Sequence, residues 1–461
     1  MLYENYLKII DEKKDIFYEV SDYLWENAEM QFDEYKACRI ITDKLKENGF
    51  EVTENVCGMP TAFIATYGKG SPSLGILAEY DALEGMSQVG GIAEKKSIEG
   101  IDVAHGCGHN LFAGGSLAAA FAVKAFIEEK GNGKITLFGC PAEEGGAGKV
   151  FMARDGVFSN IDAVVSWHPE SMYMVRTRPA LANVKVDYMF EGIAAHAGAA
   201  PHKGRSALDA VELMNVGTNF LREHMELTSR VHYAILDAGG TAPNMVQSHA
   251  SVRYMIRAVN SKEVDELHKR IDRIAQGAAL MTDTKMESNV FAAYSDLITI
   301  PTLQSVANEA MHDIPVPKPT DEELEYGRKL QDTMELTPEQ RKRSPFATEV
   351  LEPAPPVAHG GSTDTADVSW NCPTVQMHIG NWVIGTPGHS WQAVSQSRST
   401  YAKKAMLYAG KAVAATIMRL LENTSLLLKA REEFNAKVGD GYVCRLPDDI
   451  KPAIKNMQFL M

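Results

Sequence analysis

The sequence predicts an α/β protein in which a mostly parallel sheet is flanked by helices and interrupted by an α+β insert. Apolar, strand-like runs alternate with helical segments over residues 1 to about 180, the pattern of a parallel sheet. Acidic and imidazole residues stand just past three of those runs, where open parallel sheets bind ligands. From residue 183 to about 298 the pattern changes to separate strands and two long amphipathic helices.

Taken in order, residues 15–28 and 33–48 have helical spacing. Runs at 61–67, 74–78, 135–138 and 163–166 read as strands, and the Ala-rich stretch 111–129 reads as a helix. Asp81 follows the second run, Glu143 and Glu144 the third, and His168 the fourth. In the insert, 183–190, 231–236 and 249–256 read as strands, with helices at 206–224 and 261–281. Residues 313–357, rich in Pro and charge, read as a surface excursion with two helix starts. The first is a capping box, Thr320 to Glu323. The second places Thr337 as cap, Pro338 at the first helical position and Gln340 at the third. The sheet pattern resumes at 374–379, and a long helix, 399–422, closes the fold.

With 461 residues, 45% of them apolar, the chain can bury a large core. A net charge of −14 argues against nucleic acid and anionic membrane surfaces as partners, since both need clustered Lys and Arg. No run approaches the ~20 apolar residues of a membrane span, and the mixed, charged start is not a signal peptide, so a cytoplasmic location is expected. The six cysteines are scattered without a CxxC pair, which is not a disulfide framework.

One cysteine stands apart. Cys107 and His109 lie in Ala-His-Gly-Cys-Gly-His-Asn, residues 104–110, where an extended loop would point both side chains the same way. Glu143 and Glu144 sit between a Pro and a Gly pair, His168 lies in Ser-Trp-His-Pro, and His389 in Thr-Pro-Gly-His-Ser. A thiolate, imidazoles and a carboxylate are donors for zinc or a similar divalent ion, and a second carboxylate is what a metal hydrolase needs as base. Adjacent acids at a strand end diverge, so one can ligate while the other faces substrate. Taken singly, each residue has an ordinary reading: a core cysteine, a hydrogen-bonded loop histidine, a solvated acidic loop. His105, His359 and His378 also lie nearby, and spacing alone does not rank the histidines.

These motifs resemble the dinuclear-metal peptidases and amidohydrolases that include carboxypeptidase G, aminoacylases and indole-acetyl-amino-acid hydrolases. The resemblance is to the subgroup with a Cys-Gly-His motif. Seven stretches carry it in order over nearly the whole chain: 104–110, 141–146, 167–169, 191–204, 239–246, 360–370 and 386–391. Asn110 stands where many relatives have Asp, which favours the branch acting on aminobenzoyl-glutamate.

The resemblance implies a catalytic domain in two parts, residues 1–182 and 299–461, and a lid and dimerisation domain at 183–298. It implies metal ligation by Cys107, His109, Glu144, His168 and His389, with Glu143 as general base and Asp81 supporting the metal site. His196 matches a lid histidine that stabilises the oxyanion, often in a neighbouring subunit's site, and Asn244 a lid residue that contacts substrate. The arginine that clasps the substrate carboxylate falls to Arg257 or Arg205. The cofactors implied are two divalent ions, Mn2+ or Zn2+, sharing Cys107 and a water. Thiolate favours zinc, and the resemblance allows manganese.

The expected function is metal-dependent hydrolysis of N-acyl or N-aroyl amino acids, p-aminobenzoyl-glutamate first, in a homodimer or with a second homologous subunit. A dipeptidase and an indole-acetyl-amino-acid hydrolase are the alternatives within the family. A Cys107 nucleophile activated by His109 or His105 is an alternative of another class, and a non-catalytic partner subunit is a third.

Overall fold

A computed structural model describes residues 2–354, 361–439 and 441–454. His359 lies outside the described residues. The chain opens with three helices, α1 (Glu4–Glu12), α2 (Lys14–Glu26) and α3 (Tyr35–Glu47). Then come β1 (Glu51–Val56), β2 (Met59–Lys69), β3 (Ser73–Glu79), α4 (His109–Lys130), β4 (Gly133–Cys140), α5 (Gly148–Arg154), β5 (Ala163–Glu170) and β6 (Tyr173–Val175). The strand and helix pattern foreseen for this half is present. Sequence reading missed α1, β1, α5 and β6, which are short or mostly polar. It also placed His168 past its strand, whereas β5 continues through His168 to Glu170.

These strands and two later ones form one sheet in the order β1-β2-β4-β3-β5-β12-β6-β11, with β11 at Val350–Leu351 and β12 at Thr374–Gly380. The centre, β4-β3-β5-β12, is wholly parallel. Antiparallel pairing is confined to the flanks, where β2 runs against β4 and β6 against β12. Every residue of β3 is buried, as expected for a strand covered on both faces. Gly75 is required there, because a Cβ would meet Phe138 and Val164 side chains at 2.9 Å.

The main cover is α4, packed on α13 (Thr400–Glu422) across the centre of the sheet. Their backbones approach closely at glycine. A Cβ on Gly410 would lie 2.9 Å from Ala118 Cβ, and one on Gly115 would lie 2.6 Å from the Trp167 ring. α4 has the length and hydropathy of a membrane span, contrary to expectation, yet 89% of its most apolar window is buried inside the protein. It is apolar all round because it is buried all round.

The second sheet is antiparallel, in the order β10-β7-β9-β8: β7 (Ala182–Glu191), β8 (Arg230–Asp237), β9 (His249–Ala258) and β10 (Lys285–Tyr294). Helices α6 (Ala207–Leu221) and α7 (Ser261–Thr282) cover one face. Strict alternation sends Val186, Tyr188, Phe190, Val252, Tyr254 and Ile256 into a separate core beneath those helices. The opposite face carries Lys185, Asp187, Arg253 and Arg257. β10 escaped sequence reading because polar residues fill its first half.

The remainder returns to the large sheet. It comprises α8 (Pro301–Asp313), α9 (Asp321–Gln331), α10 (Pro338–Lys342), α11 (Thr365–Ser369), α12 (Trp391–Gln396), α13 and a further helix, α14 (Thr424–Val438). The foreseen capping box at Thr320 is formed, and the foreseen cap at Thr337 closes a second one with Gln340. The segment is not merely a surface excursion, since Leu330, Met334 and Phe346 enter the main core. α13 does not close the fold either, because α14 follows it and packs on α8.

Candidate metal centre

The carboxyl ends of the parallel strands bring the candidate residues together, the place where such sheets bind ligands. Glu79 is the last residue of β3 and Asp81 follows it. Cys107-Gly108-His109 is not the extended loop expected. Gly108 takes the left-handed conformation, φ 74°, and His109 is the first residue of α4. This turn still aims both side chains inward. Ala142, at φ 60°, turns the chain after β4 and donates its N–H to Glu34 Oε1 at 2.8 Å, so a buried carboxylate pins the loop that presents Glu143 and Glu144. His389 is held by its N–H bonding to Gly106 O at 3.2 Å.

Three groups of donor atoms result: Glu79, His109 and Glu143; Cys107, His109 and His168; Cys107, Glu144 and His389. Within each group the ligand atoms lie within 4.8 Å of one another. The groups are linked through His109 and Cys107, so they form one continuous centre. All five ligands inferred from the resemblance are in it.

The residues present fit divalent cations. His109 gives Nδ1 to Asp81 Oδ1 at 2.9 Å, leaving Nε2 buried without a hydrogen bond, 3.3 Å from Glu79 Oε2. His168 donates Nδ1–H to Pro169 O at 2.8 Å and turns Nε2 toward Cys107 Sγ at 3.4 Å. Metal-binding histidines are characteristically fixed in this way, with the second nitrogen held by an oxygen. Glu144 Oε1 and Glu79 Oε2 are likewise buried without partners, an expensive arrangement that bound cations would relieve. Asp81 ties the parts together, since its Oδ2 accepts Glu144 N–H at 2.9 Å.

The electrostatics agree. Burial pushes the Glu144 carboxyl up to about 8 and the His168 imidazole down to about 4. Burial raises the Cys107 thiol too; His109 opposes that shift, and Glu144 and Glu143 add to it. Bound cations would hold that thiol as a thiolate.

Three participants were missed. Glu79 Oε1 accepts from Lys149 Nζ at 2.7 Å, and Lys149 in turn bonds Asp364 Oδ1 at 2.5 Å. All three are essentially inaccessible to solvent. Burial alone would lower the Lys149 ammonium, but Asp364 and Glu79 hold it well above its ordinary range. The sequence signal was a lone lysine beside the apolar run Val150 to Ala153, with no periodicity to mark it.

The other candidates do not belong to the three donor groups. His196 is on the insert, where its Nδ1 accepts from Gly198 and Ala199 N–H at 3.2 and 3.1 Å in an exposed loop, leaving Nε2 as an outward donor. Asn244 adjoins it, its carbonyl accepting Ala197 N–H at 2.9 Å. Arg205 is occupied by Asp283 at 2.7 Å, whereas Arg257 meets Met255 Sδ and, at 3.4 Å, Ser362 Oγ. His105 bonds Leu24 O, and His378 lies beside His168 in the β5–β12 register.

Residues 75–420 match the model of peptidase family M20/M25/M40. The chain is 40% identical to one of the polypeptides of p-aminobenzoyl-glutamate hydrolase from Escherichia coli (strain K12), over 96% of this chain and 97% of that one. It is 29% identical to Xaa-Arg dipeptidase of Mus musculus, over 93% and 91%. Its fold matches that of a dinuclear metal binding peptidase from the M20 family of Bacillus subtilis, with a TM-score of 0.59, 17% identity, and 89% and 99% coverage.

Proposed function

The chain belongs to peptidase family M20/M25/M40, and from that premise we propose that it hydrolyses the amide bond of N-aroyl amino acids, with p-aminobenzoyl-glutamate as the leading substrate. The observation that carries the reading is the set of buried, unpartnered donor atoms on His109, Glu79 and Glu144, converging with Cys107, His168 and His389. The leading substrate comes from the relative that shares 40% identity along nearly the full length.

Cys107, His109, Glu144, His168 and His389 would hold two divalent cations, Mn2+ or Zn2+. Bound there, the ions would polarise the amide carbonyl and lower the pKa of the attacking water. Glu143 takes that water's proton and passes it to the leaving amine as the carbon–nitrogen bond breaks. Asp81 fixes the His109 tautomer through Nδ1 and holds the Glu144 backbone. His196 donates Nε2–H to the oxyanion, and Asn244 contacts the substrate from the same loop cluster. Arg257, which lacks a carboxylate partner among the described residues, takes the substrate carboxylate.

His196 reaches a site in a second copy of the chain. The insert presents an apolar strip for that copy: Leu213, Val216 and Phe220 share one face of α6, with Phe220 73% exposed, and Ile235 and Leu236 are exposed on the edge strand β8. Tyr233 of β8 stacks on Tyr254, whose hydroxyl bonds Asn215 on the buried face of α6, so β8 and α6 belong to one packed unit.

The test is a comparison of kcat/KM for metal-loaded protein on p-aminobenzoyl-glutamate, indole-acetyl-aspartate, N-acetyl amino acids and dipeptides, with and without chelator. Highest values on the aroyl-glutamate, lost on chelation and restored by Mn2+ or Zn2+, are expected. Activity that survives chelation and leaves an acyl group on Cys107 would overturn the metal reading. Full metal with no turnover of any substrate would make the chain a non-catalytic partner instead.

A further inference from the structure

The open face of the small sheet holds a cation that the ligand set and its supports do not use. Lys185 of β7 and Arg257 of β9 point the same way, because the register sets Lys185 opposite Met255 and Asn183 opposite Arg257. That makes them diagonal neighbours, ~7–8 Å apart along the sheet, a gap that a few methylenes bridge. The other diagonal neighbour, Arg253, is already held by both oxygens of Asp187, at 2.7 and 2.8 Å. Neither Lys185 nor Arg257 has a carboxylate partner among the described residues. Two like charges left unneutralised side by side in a half-buried place are costly unless an anion joins them.

Contacts lead from the pair toward the metal centre. Arg257 meets Ser362 on the segment that leads to Asp364. The Lys185 ammonium lies 5.7 Å from the ring centre of Tyr294, and the Tyr294 hydroxyl is buried without a partner. Burial and Arg257 lower the Lys185 ammonium, while Glu143 and Glu144 act on it in the opposite sense, so it sits within the field of those two acids.

We propose that Lys185 is a specificity-determining residue that binds the side-chain carboxylate of an acidic amino acid whose α-carboxylate is held by Arg257. The inference rests on the amidohydrolase reading above and names the amine side of the scissile bond as a dicarboxylate. It also makes a cationic residue such as arginine a poor occupant, setting this chain apart from a dipeptidase of Xaa-Arg type.

The experiment compares wild type, Lys185→Met and Lys185→Arg, metal-loaded, on p-aminobenzoyl-glutamate and p-aminobenzoyl-glutamine, an isostere with a neutral side chain. Lys185→Met is expected to lower kcat/KM on the glutamate compound by about 10–100-fold, mainly through KM, the range for losing a charge-assisted hydrogen bond. The glutamine compound should change by less than about threefold on the same scale, and Lys185→Arg should keep the preference for the diacid. Calorimetric binding of L-glutamate and L-glutamine to the same proteins gives a readout without turnover. Glutamate should bind wild type more tightly, and Lys185→Met should erase the difference. Equal losses on both substrates, or an unchanged glutamate preference in Lys185→Met, would overturn the assignment. If wild type hydrolyses neither amide yet its glutamate preference vanishes in Lys185→Met, the anion site stands and the proposed reaction falls.

Discussion

Replacing Lys149 with Met tests the buried charge chain behind the metal centre. Met fills a similar volume but leaves Asp364 and Glu79, both at most 1% exposed, without their shared cation. Removing one partner of a buried ion pair costs about 3–5 kcal/mol, and two stranded carboxylates place this case toward the upper end. On that scale the folded-to-unfolded ratio falls by roughly a thousandfold. The assay is urea unfolding of metal-loaded protein, followed by tryptophan fluorescence and circular dichroism. Agreement between the two probes is required, since a chain of this size need not unfold in one step. A triple variant, Lys149→Met with Glu79→Gln and Asp364→Asn, removes the stranded charges and should recover at least half of the loss. A cost below about 1 kcal/mol for Lys149→Met, the scale of an exposed pair, would refute the reasoning. So would a triple variant no more stable than the single one.

The centre itself yields three more expectations. Glu143→Gln should retain its metal and lose about 10²–10⁴ in rate, the range for a general base, whereas Glu144→Ala should lose an ion. Elemental analysis decides, and metal loss in the Glu143 variant would reverse the two roles. Iodoacetamide should label Cys107, followed by peptide mapping, more slowly in metal-loaded protein than after chelation, because a coordinated thiolate is occupied; equal rates would count against ligation. Finally, Phe220→Asp should yield monomers by sedimentation, and those monomers should be inactive if His196 acts across the dimer. Mixed dimers of His196→Ala with Glu143→Ala should regain about half of wild-type activity, since one site then carries both defects and the other neither; mixed dimers as dead as their parents would confine His196 to its own chain.

Much of this architecture was legible because the central strands are apolar runs and the insert alternates cleanly. What escaped were elements whose partners hide their polarity. β10 is polar at Lys285 to Ser288 because that end of the strand is largely exposed, and α1 packs on α4 through few apolar residues, Leu7 and Ile10 among them. Cys107 and His109 stood out by their glycine-rich setting, although the turn at Gly108 did not, and His168 and His389 were ranked only by the resemblance. Glu79, Lys149 and Asp364 were invisible for a different reason. They lie far apart in sequence, and a buried charge shows itself only through its partner. Lys185 looked like an ordinary polar position on a half-exposed strand, and only the register against β9 sets it beside Arg257.

The burial of α4 has a consequence for biosynthesis. This 22-residue apolar helix leaves the ribosome about 270 residues before α13, the helix that packs on it most extensively. At ordinary elongation rates the nascent chain carries this membrane-like segment without its main helical partner for roughly 15–55 s. Yield in a cell should therefore track the supply of chaperones that shield apolar segments, and truncations that remove α13 should aggregate during synthesis even though every residue of the metal centre has already been made.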